Sequence, residues 1–171
     1  MAGTSFTGEE RAKVDGKGRM SIPAEFRKVL MVGDPERGEG GAYRLQLNYG
    51  DHLGNRLEVR TVAAHEAIAQ RIAEWEPQDD DEEAEKDATA HFMLTQSQSI
   101  EVDRDGRIVL PARFRARLGL TEGEVAFAGK GGWFEIWAAE TYESEVQARH
   151  REFLASKPKN YNPLTALNRR R

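Results

Sequence analysis

The sequence predicts an α+β fold in which two tandem β-hairpin–helix repeats interleave into a pseudo-dimeric β-barrel with flanking helices. The segment VDGKGRMSIPAEFR (14–27) recurs 88 residues later as VDRDGRIVLPARFR (102–115), with eight of 14 positions identical. Apolar and polar residues alternate around the turns, as in strands, and apolar residues at helical spacing follow each copy. Because one hairpin cannot bury its apolar face alone, we expect the two copies to complete each other within one chain.

The first hairpin of each copy turns on an aspartate and a glycine. In the second copy Ile100 and Val102 alternate with Glu101, and Asp-Arg-Asp-Gly at 103–106 then reverses the chain. Aspartate favours the first position of a type I turn, and glycine at the fourth supplies the left-handed residue of a bulged hairpin. The segment Asp-Gly-Lys-Gly at 15–18 repeats this pattern. The predicted turn residues are Asp15, Gly18, Asp103 and Gly106.

A short helix follows each of these hairpins. Pro23 and Pro111 end the preceding strands and are expected at the first helical position, where a missing N–H does no harm. The helix side chains expected to serve structural roles, in the core or at subunit contacts, are Phe26, Phe114, Arg27 and Arg115.

Each copy continues into a second hairpin and a closing helix. Alternating patterns predict these hairpins over 43–60 and 125–137, and the aromatic run WFEIW (133–137) forms the last strand. The closing helices are predicted over about 62–75 and about 139–154. The side chains expected on their inward faces are Ala64, Ile68, Ile72 and Trp75 in the first helix, and Tyr142, Val146, His150 and Phe153 in the second.

The remaining segments divide the chain. The Gly-rich segment at 32–41 predicts a loop, and the linker is expected to be irregular from Pro77 and helical through 82–95. The predicted organisation is an N-terminal repeat at 6–76, an acidic linker and helix at 77–96, a C-terminal repeat at 97–154, and a flexible basic tail at 155–171.

Composition excludes several classes of function. The 171 residues contain no cysteine, which rules out disulfides, thiolate zinc sites and cysteine nucleophiles. The start of the chain lacks the features of a signal peptide, and no apolar run reaches the roughly 20 residues that span a bilayer. We therefore expect a soluble, cytoplasmic protein without a membrane partner.

Charge is distributed unevenly along the chain. The net charge is −4, but residues 74–87 hold nine acids and one base, whereas residues 11–28 hold six bases and two acids. The last 23 residues carry seven bases and one acid. The acidity is thus concentrated in the middle of the chain, and local positive charge elsewhere is compatible with a nucleic-acid partner despite the acidic total.

The duplicated motif resembles the MraZ family, within the wider AbrB/SpoVT swapped-hairpin superfamily. The resemblance rests on Asp-x-x-x-Arg at 15–19 and 103–107 within V-D-x-x-G-R contexts, on Phe6-x-Gly8, and on the strand at 133–137. It covers roughly residues 6–154. It implies a transcriptional regulator that binds repeated short promoter boxes upstream of the division and cell-wall gene cluster. It also implies a ring-like homo-oligomer at the nucleoid.

The two copies differ chemically, which predicts different roles. The first copy presents basic residues where the second has Ser99, Glu101 and Asp105, and an acidic turn opposes phosphate. We therefore expect the N-terminal hairpin to be the main DNA-binding ribbon and the C-terminal copy to be more structural. The predicted DNA-binding residues are Arg11, Lys13, Lys17 and Arg19, with Arg107 from the second copy. For Asp15 two roles stay open: a turn residue that pairs with Arg19, or a part of the contact surface.

Enzymatic readings find no support in the sequence. The four histidines lie far apart, and no metal motif, Gly-rich phosphate loop or nucleophile elbow is present, so no cofactor, metal, catalytic residue or small-molecule substrate is predicted. The alternative function is that of an antitoxin-like protein of the same superfamily, which neutralises a protein partner. Two hairpin motifs in a long body favour the regulator over this alternative.

Overall fold

The computed structural model describes residues 4–38 and 41–170. The chain forms two compact units, Met1–Ala139 and Glu140–Arg171. In the described ranges no helix is both long and apolar enough to cross a membrane.

The first unit contains eight strands among its described residues. They are β1 (Glu9–Val14), β2 (Arg19–Ser21), β3 (Tyr43–Asn48), β4 (Arg56–Arg60), β5 (Ser97–Val102), β6 (Arg107–Val109), β7 (Gly123–Gly129) and β8 (Phe134–Ala138). Its helices are α1 (Ala24–Val32), α2 (Val62–Glu74), α3 (Asp80–Ala90), which continues into a π-helical turn (His91–Thr95), and α4 (Ala112–Arg117), with a 3-10 turn at Asp51–Leu53. The predicted elements are present, with boundaries shifted by a few residues.

Six strands form one antiparallel sheet in the order β1-β7-β8-β4-β3-β5. Exchanging the equivalent strands of the two repeats reverses this order and reproduces it, so the strand order is symmetric between the repeats. The first strand of each repeat pairs with the other repeat: β1 pairs with β7, and β5 pairs with β3. Strands of the two repeats therefore share one sheet. In the described residues the ladder ends at β1 and β5, so backbone pairing does not close it into a barrel.

The remaining two strands, β2 and β6, form a separate two-stranded antiparallel ribbon. The prediction that β1 and β2 form a self-paired hairpin ribbon is therefore wrong. A bond from the Asp15 N–H to the Arg19 carbonyl closes the turn, but Gly18 then presents its carbonyl to the Leu110 N–H at 2.7 Å. The symmetric bond joins the Ile22 N–H to the Gly106 carbonyl at 2.9 Å. Each repeat thus contributes one strand to the ribbon.

The core lies between the inner face of the large sheet, the ribbon, α1 and α4. Phe26 and Phe114 are 1% exposed, as predicted, and Phe6 packs edge-on against Phe26 with ring centroids 5.6 Å apart. Pro23 and Pro111 cap α1 and α4 from one position before the first helical residue rather than occupying it.

The closing helix α2 is less buried than its pattern predicts. Ile72 is buried, whereas Ala64, Ile68 and Trp75 are only half-buried. The predicted loop at 32–41 begins as the last residue of α1 and includes Asp34, which is 5% exposed; residues 39 and 40 lie outside the described residues.

The second unit is helical. Helix α5 (Ala139–Thr141) begins at the last residue of the first unit, and a π-helical turn (Tyr142–Gln147), α6 (Ala148–Ala155) and α7 (Pro163–Asn168) follow. Tyr142 and Val146 are buried as predicted, but His150 and Phe153 are exposed, so their predicted packing roles are wrong. The reason is that the π-helical turn changes the angular spacing, so residues after Val146 leave the stripe that a regular helix would continue. The segment at 155–171, expected to be flexible, contains α7, and Tyr161 packs edge-on against Phe153.

Candidate nucleic-acid interface

The outward face of the β2–β6 ribbon presents two arginines. Arg19 lies directly opposite Val109, and Ser21 lies opposite Arg107, and all four are exposed. Met20 and Ile108 point the other way and are 2% exposed. The ribbon is therefore apolar inside and basic outside, because strand residues alternate between faces.

The register sets the spacing of this outer face. The Ile22–Gly106 and Gly18–Leu110 positions are hydrogen-bonded, so the Arg19–Val109 position between them is a non-hydrogen-bonded pair. The Cα atoms of such pairs are about 4.5 Å apart. Diagonal neighbours such as Arg19 and Arg107 are separated by about 7–8 Å. The two arginine side chains therefore emerge from the same narrow face, one near each end of the ribbon.

The turn before β2 orients Arg19. Oδ1 of Asp15 accepts the backbone N–H groups of Lys17 and Arg19, each at 2.9 Å. Oδ2 accepts Nε of Arg19 at 2.6 Å. Asp15 therefore shapes the turn backbone and pairs with Arg19, which is the first of the two roles considered for it; its place on a contact surface stays a prediction. The Nη donors of Arg19 have no hydrogen-bond partner in the described residues and remain available to a ligand.

Electrostatics keep this pairing intact at neutral pH. The backbone N–H of Arg19, followed by its guanidinium, holds the pKa of the Asp15 carboxyl below its usual value. The aspartate is therefore ionised when Arg19 is charged. An exposed pair of this kind contributes little to stability and serves mainly to aim the arginine.

The turn before β6 has the same backbone but a different arginine geometry. Oδ1 of Asp103 accepts the N–H groups of Asp105 and Arg107 at 2.9 Å, as Asp15 does in its own turn. Arg107 instead donates Nη2 to Oδ2 of Asp105 at 3.0 Å. Asp105 replaces Lys17 of the first copy. Arg104 is exposed in the same turn and partly compensates the negative charge of Asp105, and no separate sequence signal pointed to it.

One arginine from α1 and one from α4 each bind the turn of the other repeat. Arg115, 7% exposed, donates to the carbonyls of Leu110 at 3.0 Å, Thr121 at 2.7 Å and Gly16 at 3.3 Å. Arg27 makes the corresponding reach to the Asp105 carbonyl at 3.4 Å. This confirms the expected structural role of both side chains, because each supports the turn that carries Arg19 or Arg107.

The other predicted basic residues lie around the ribbon with partial charge compensation. Lys13 lines a groove beside Arg19 and Arg107, but it is opposite Glu124 in the β1–β7 ladder. Arg11 lies farther along β1, 3.9 Å from Glu9. Lys17 is exposed at the turn.

Two carboxylates beside the ribbon escaped sequence reasoning. Glu122 and Glu124 line the groove that contains Lys13. They belong to the second repeat, and no local pattern shows that this segment pairs with β1. The symmetric groove on the other side of the ribbon includes Glu101 in place of Lys13. Positive charge is therefore concentrated on the ribbon itself, with carboxylates on both flanks.

No metal centre accompanies this surface: the described residues contain no cluster of three or more histidine, aspartate or glutamate side chains placed to hold an ion. The fold and surface define a class of duplicated hairpin–helix proteins in which one exposed strand from each repeat forms a basic ribbon.

Comparison with known proteins identifies the family within this class. The family profile described as "MraZ protein, putative antitoxin-like" matches residues 93–161. A Ruegeria pomeroyi protein named "Transcriptional regulator MraZ" is 39% identical over 163 residues, covering 95% of both chains. A relative of the same name from Gluconobacter oxydans is 34% identical over 147 residues, covering 84% of this chain and 81% of the relative. The chain belongs to the MraZ family of transcriptional regulators.

Proposed function

We propose that this chain regulates transcription by binding double-stranded DNA through the outer face of the β2–β6 ribbon. The observation that carries the proposal is the juxtaposition of Arg19 and Arg107, one from each repeat, on an exposed two-stranded ribbon. The relatives' name, transcriptional regulator, supports the same function.

The ribbon has the dimensions and chemistry for the major groove. That groove is about 12 Å wide and admits a two-stranded β-ribbon. Arginine binds the O6 and N7 acceptors of guanine in a bidentate manner. Arg19 and Arg107 therefore read base edges, while Lys17 at the turn and Lys13 in the flanking groove attract phosphates. Arg11 lies outside the protein groove that contains Lys13, and it contributes to the positive electrostatic potential around the ribbon.

Arg19 and Arg107 differ in which guanidinium nitrogen is already hydrogen-bonded to a carboxylate. Asp15 occupies only Nε of Arg19, whereas Asp105 holds a terminal Nη2 of Arg107, which a bidentate contact needs. Arg107 therefore approaches a base with one terminal nitrogen already bonded to a carboxylate. This keeps the first copy dominant, as the sequence predicts, although the second copy shares the same face.

Several ribbons acting together complete the proposal. The outer face of one ribbon offers four side chains, too few for a tight specific complex by themselves. Linked binding by several subunits gains on the order of 10²–10⁴ in avidity. We infer a ring-like homo-oligomer, located in the cytoplasm at the nucleoid, that engages repeated promoter boxes upstream of the division and cell-wall genes. The exchange of strands between repeats supports the swapped-hairpin, barrel-like form of the subunit.

Fluorescence anisotropy with a labelled duplex from the region upstream of the protein's own gene tests this function. The affinity should exceed that for a shuffled duplex, and log affinity should fall with log salt by about 0.9 for each phosphate neutralised. Equal affinity for both duplexes at every salt concentration would refute sequence-specific binding.

Two arginine-to-alanine variants test whether the outer face of the ribbon is the DNA-binding surface. Arg19→Ala should weaken binding by at least about 5-fold, the lower end for loss of one bidentate base contact. Arg71→Ala is the matched control, because Arg71 is exposed on α2 and lines neither groove beside the ribbon. Light scattering should show the same oligomer size for both variants. Equal loss of affinity in the two would place the contact elsewhere.

The second candidate is neutralisation of a protein partner, as the antitoxin-like family description suggests. Exposed apolar side chains of the second unit would suit such a partner: Phe153, Leu154, Leu164 and Leu167. Absence of any preference for the upstream duplex would favour this candidate. A salt-dependent preference that requires Arg19 would favour the regulator.

A further inference from the structure

We propose that Val109 determines sequence specificity by contacting the C5-methyl group of a thymine in the major groove. The inference rests on the proposed DNA-binding function and assigns one side chain of the ribbon to one base feature.

Val109 is exposed where an apolar side chain has no structural use. It is 58% exposed, whereas its neighbours Ile108 and Leu110 are 2% and 0% exposed. It is also the apolar member of an otherwise polar outer face, which it shares with Arg19, Ser21 and Arg107. The side chain therefore adds nothing to the core and faces whatever the ribbon binds.

Val109 is paired across the ribbon with Arg19, the arginine whose Nη donors have no hydrogen-bond partner in the described residues and can bind a base. Val109 lies directly across the ribbon from Arg19, in a non-hydrogen-bonded pair where side chains are closest. If Arg19 reaches a guanine edge, Val109 must lie against a neighbouring base. An isopropyl group has no donor or acceptor, and the apolar feature of the major groove is the thymine methyl group. Geometry and chemistry therefore select the same target.

The residue of the first repeat that is equivalent to Val109 is Ser21, so the two halves of the outer face differ chemically. There Ser21 lies across from Arg107, and a serine hydroxyl either donates to an acceptor or accepts from a donor on the base. The two halves of the ribbon consequently read unlike half-sites despite the symmetric strand order. The bound box is not palindromic, and each subunit binds it in one orientation.

Uracil scanning tests the contact, because deoxyuridine differs from thymidine only by the missing methyl group. Each thymine of the upstream duplex is replaced singly, on either strand, and the affinity of the full-length protein is measured. For the wild-type protein we expect one position in each box where the replacement weakens binding by on the order of 3- to 10-fold, as loss of one methyl contact predicts.

Variants assign that position to Val109. Val109→Ser should bind the thymine and uracil duplexes equally at this position, whereas Val109→Ile, which keeps an apolar branch, should retain the discrimination. Val32→Ser is the matched control, since Val32 is 66% exposed on α1, and should also retain it. Urea unfolding establishes that all three variants are folded.

The outcomes separate the two proposals. If the wild-type protein prefers the upstream duplex but no uracil position matters, or if Val109→Ser keeps the discrimination, the thymine contact is wrong and DNA binding stands. If the wild-type protein has no preference for the upstream duplex, both are wrong.

Discussion

Replacing Gly18 by alanine tests the crossing point of the two repeats. Gly18 has φ of +88° and packs directly on the backbone of Leu110, whose N–H donates to the Gly18 carbonyl. A Cβ at this position would overlap the Leu110 carbonyl oxygen, so the ribbon backbone must move. The left-handed conformation costs about 1–2 kcal/mol for a residue with a Cβ. Loss of the Leu110 hydrogen bond adds about 0.5–1.5 kcal/mol.

The expected decrease in the free energy of unfolding for Gly18→Ala is therefore about 1.5–3.5 kcal/mol. Two matched glycines give a graded series. Gly106→Ala incurs the same left-handed cost, but its Cβ meets the flexible side chain of Arg27, so we expect about 1–2 kcal/mol. Gly16 has no positive φ, and its Cβ meets Glu122 Oε2 at 3.6 Å, so Gly16→Ala should change stability by less than about 0.5 kcal/mol.

Urea unfolding followed by circular dichroism measures the series, at one fixed protein concentration because oligomers gain stability with concentration. The midpoint should fall in the order Gly16→Ala, Gly106→Ala, Gly18→Ala, with an unchanged m-value. Gly18→Ala should also weaken binding to the upstream duplex. Equal midpoints for Gly18→Ala and Gly16→Ala would refute the close approach of the repeats at the ribbon.

Other predictions follow from the charged side chains that support the fold. Arg115→Met should lower the free energy of unfolding by about 2–4 kcal/mol, because three carbonyls lose a donor. Arg27→Met should lower it by less than about 1 kcal/mol, because only one weak bond is lost. Equal urea midpoints for the two variants would contradict the view that Arg115 supports its turn more strongly than Arg27 does. The Arg44 guanidinium holds the pKa of the Asp34 carboxyl below its ordinary value of 3.8. Asp34 therefore contributes stability above pH 3.8 that is lost as pH falls through its lower folded pKa. The stability difference between wild type and Asp34→Asn should shrink over that range, and a difference that is constant with pH would contradict this.

Local sequence patterns predicted the parts of this fold that local chemistry determines. The turn aspartates each accept two backbone N–H groups, and Gly18 and Gly106 have positive φ, as the repeated Asp-x-x-Gly pattern indicates. The duplication also indicated that the two repeats share one core, since a single hairpin lacks one, and Phe26 and Phe114 lie in the same core cluster.

Partner choice between strands was beyond the sequence, because pairing depends on contacts distant along the chain. The pairing of β1 with β7 places Glu124 opposite Lys13, which reduces the basic character expected of the first hairpin. The pairing of β2 with β6 brings Arg107 beside Arg19. Glu58 of β4 is charged, yet it is 6% exposed and paired with Arg60 at 3.1 Å. Its neighbour across the ladder is Glu135 of β8, which is distant along the chain.

The affinity of Arg107→Ala for the upstream duplex tests the central claim most directly, because that claim is a single DNA-binding ribbon built from both repeats. Measured beside Arg19→Ala and Arg71→Ala at one salt concentration, Arg107→Ala should weaken binding clearly, though less than Arg19→Ala, and Arg71→Ala should not. A wild-type affinity for Arg107→Ala, with Arg19→Ala impaired, would confine the contact to the N-terminal copy and contradict the shared ribbon.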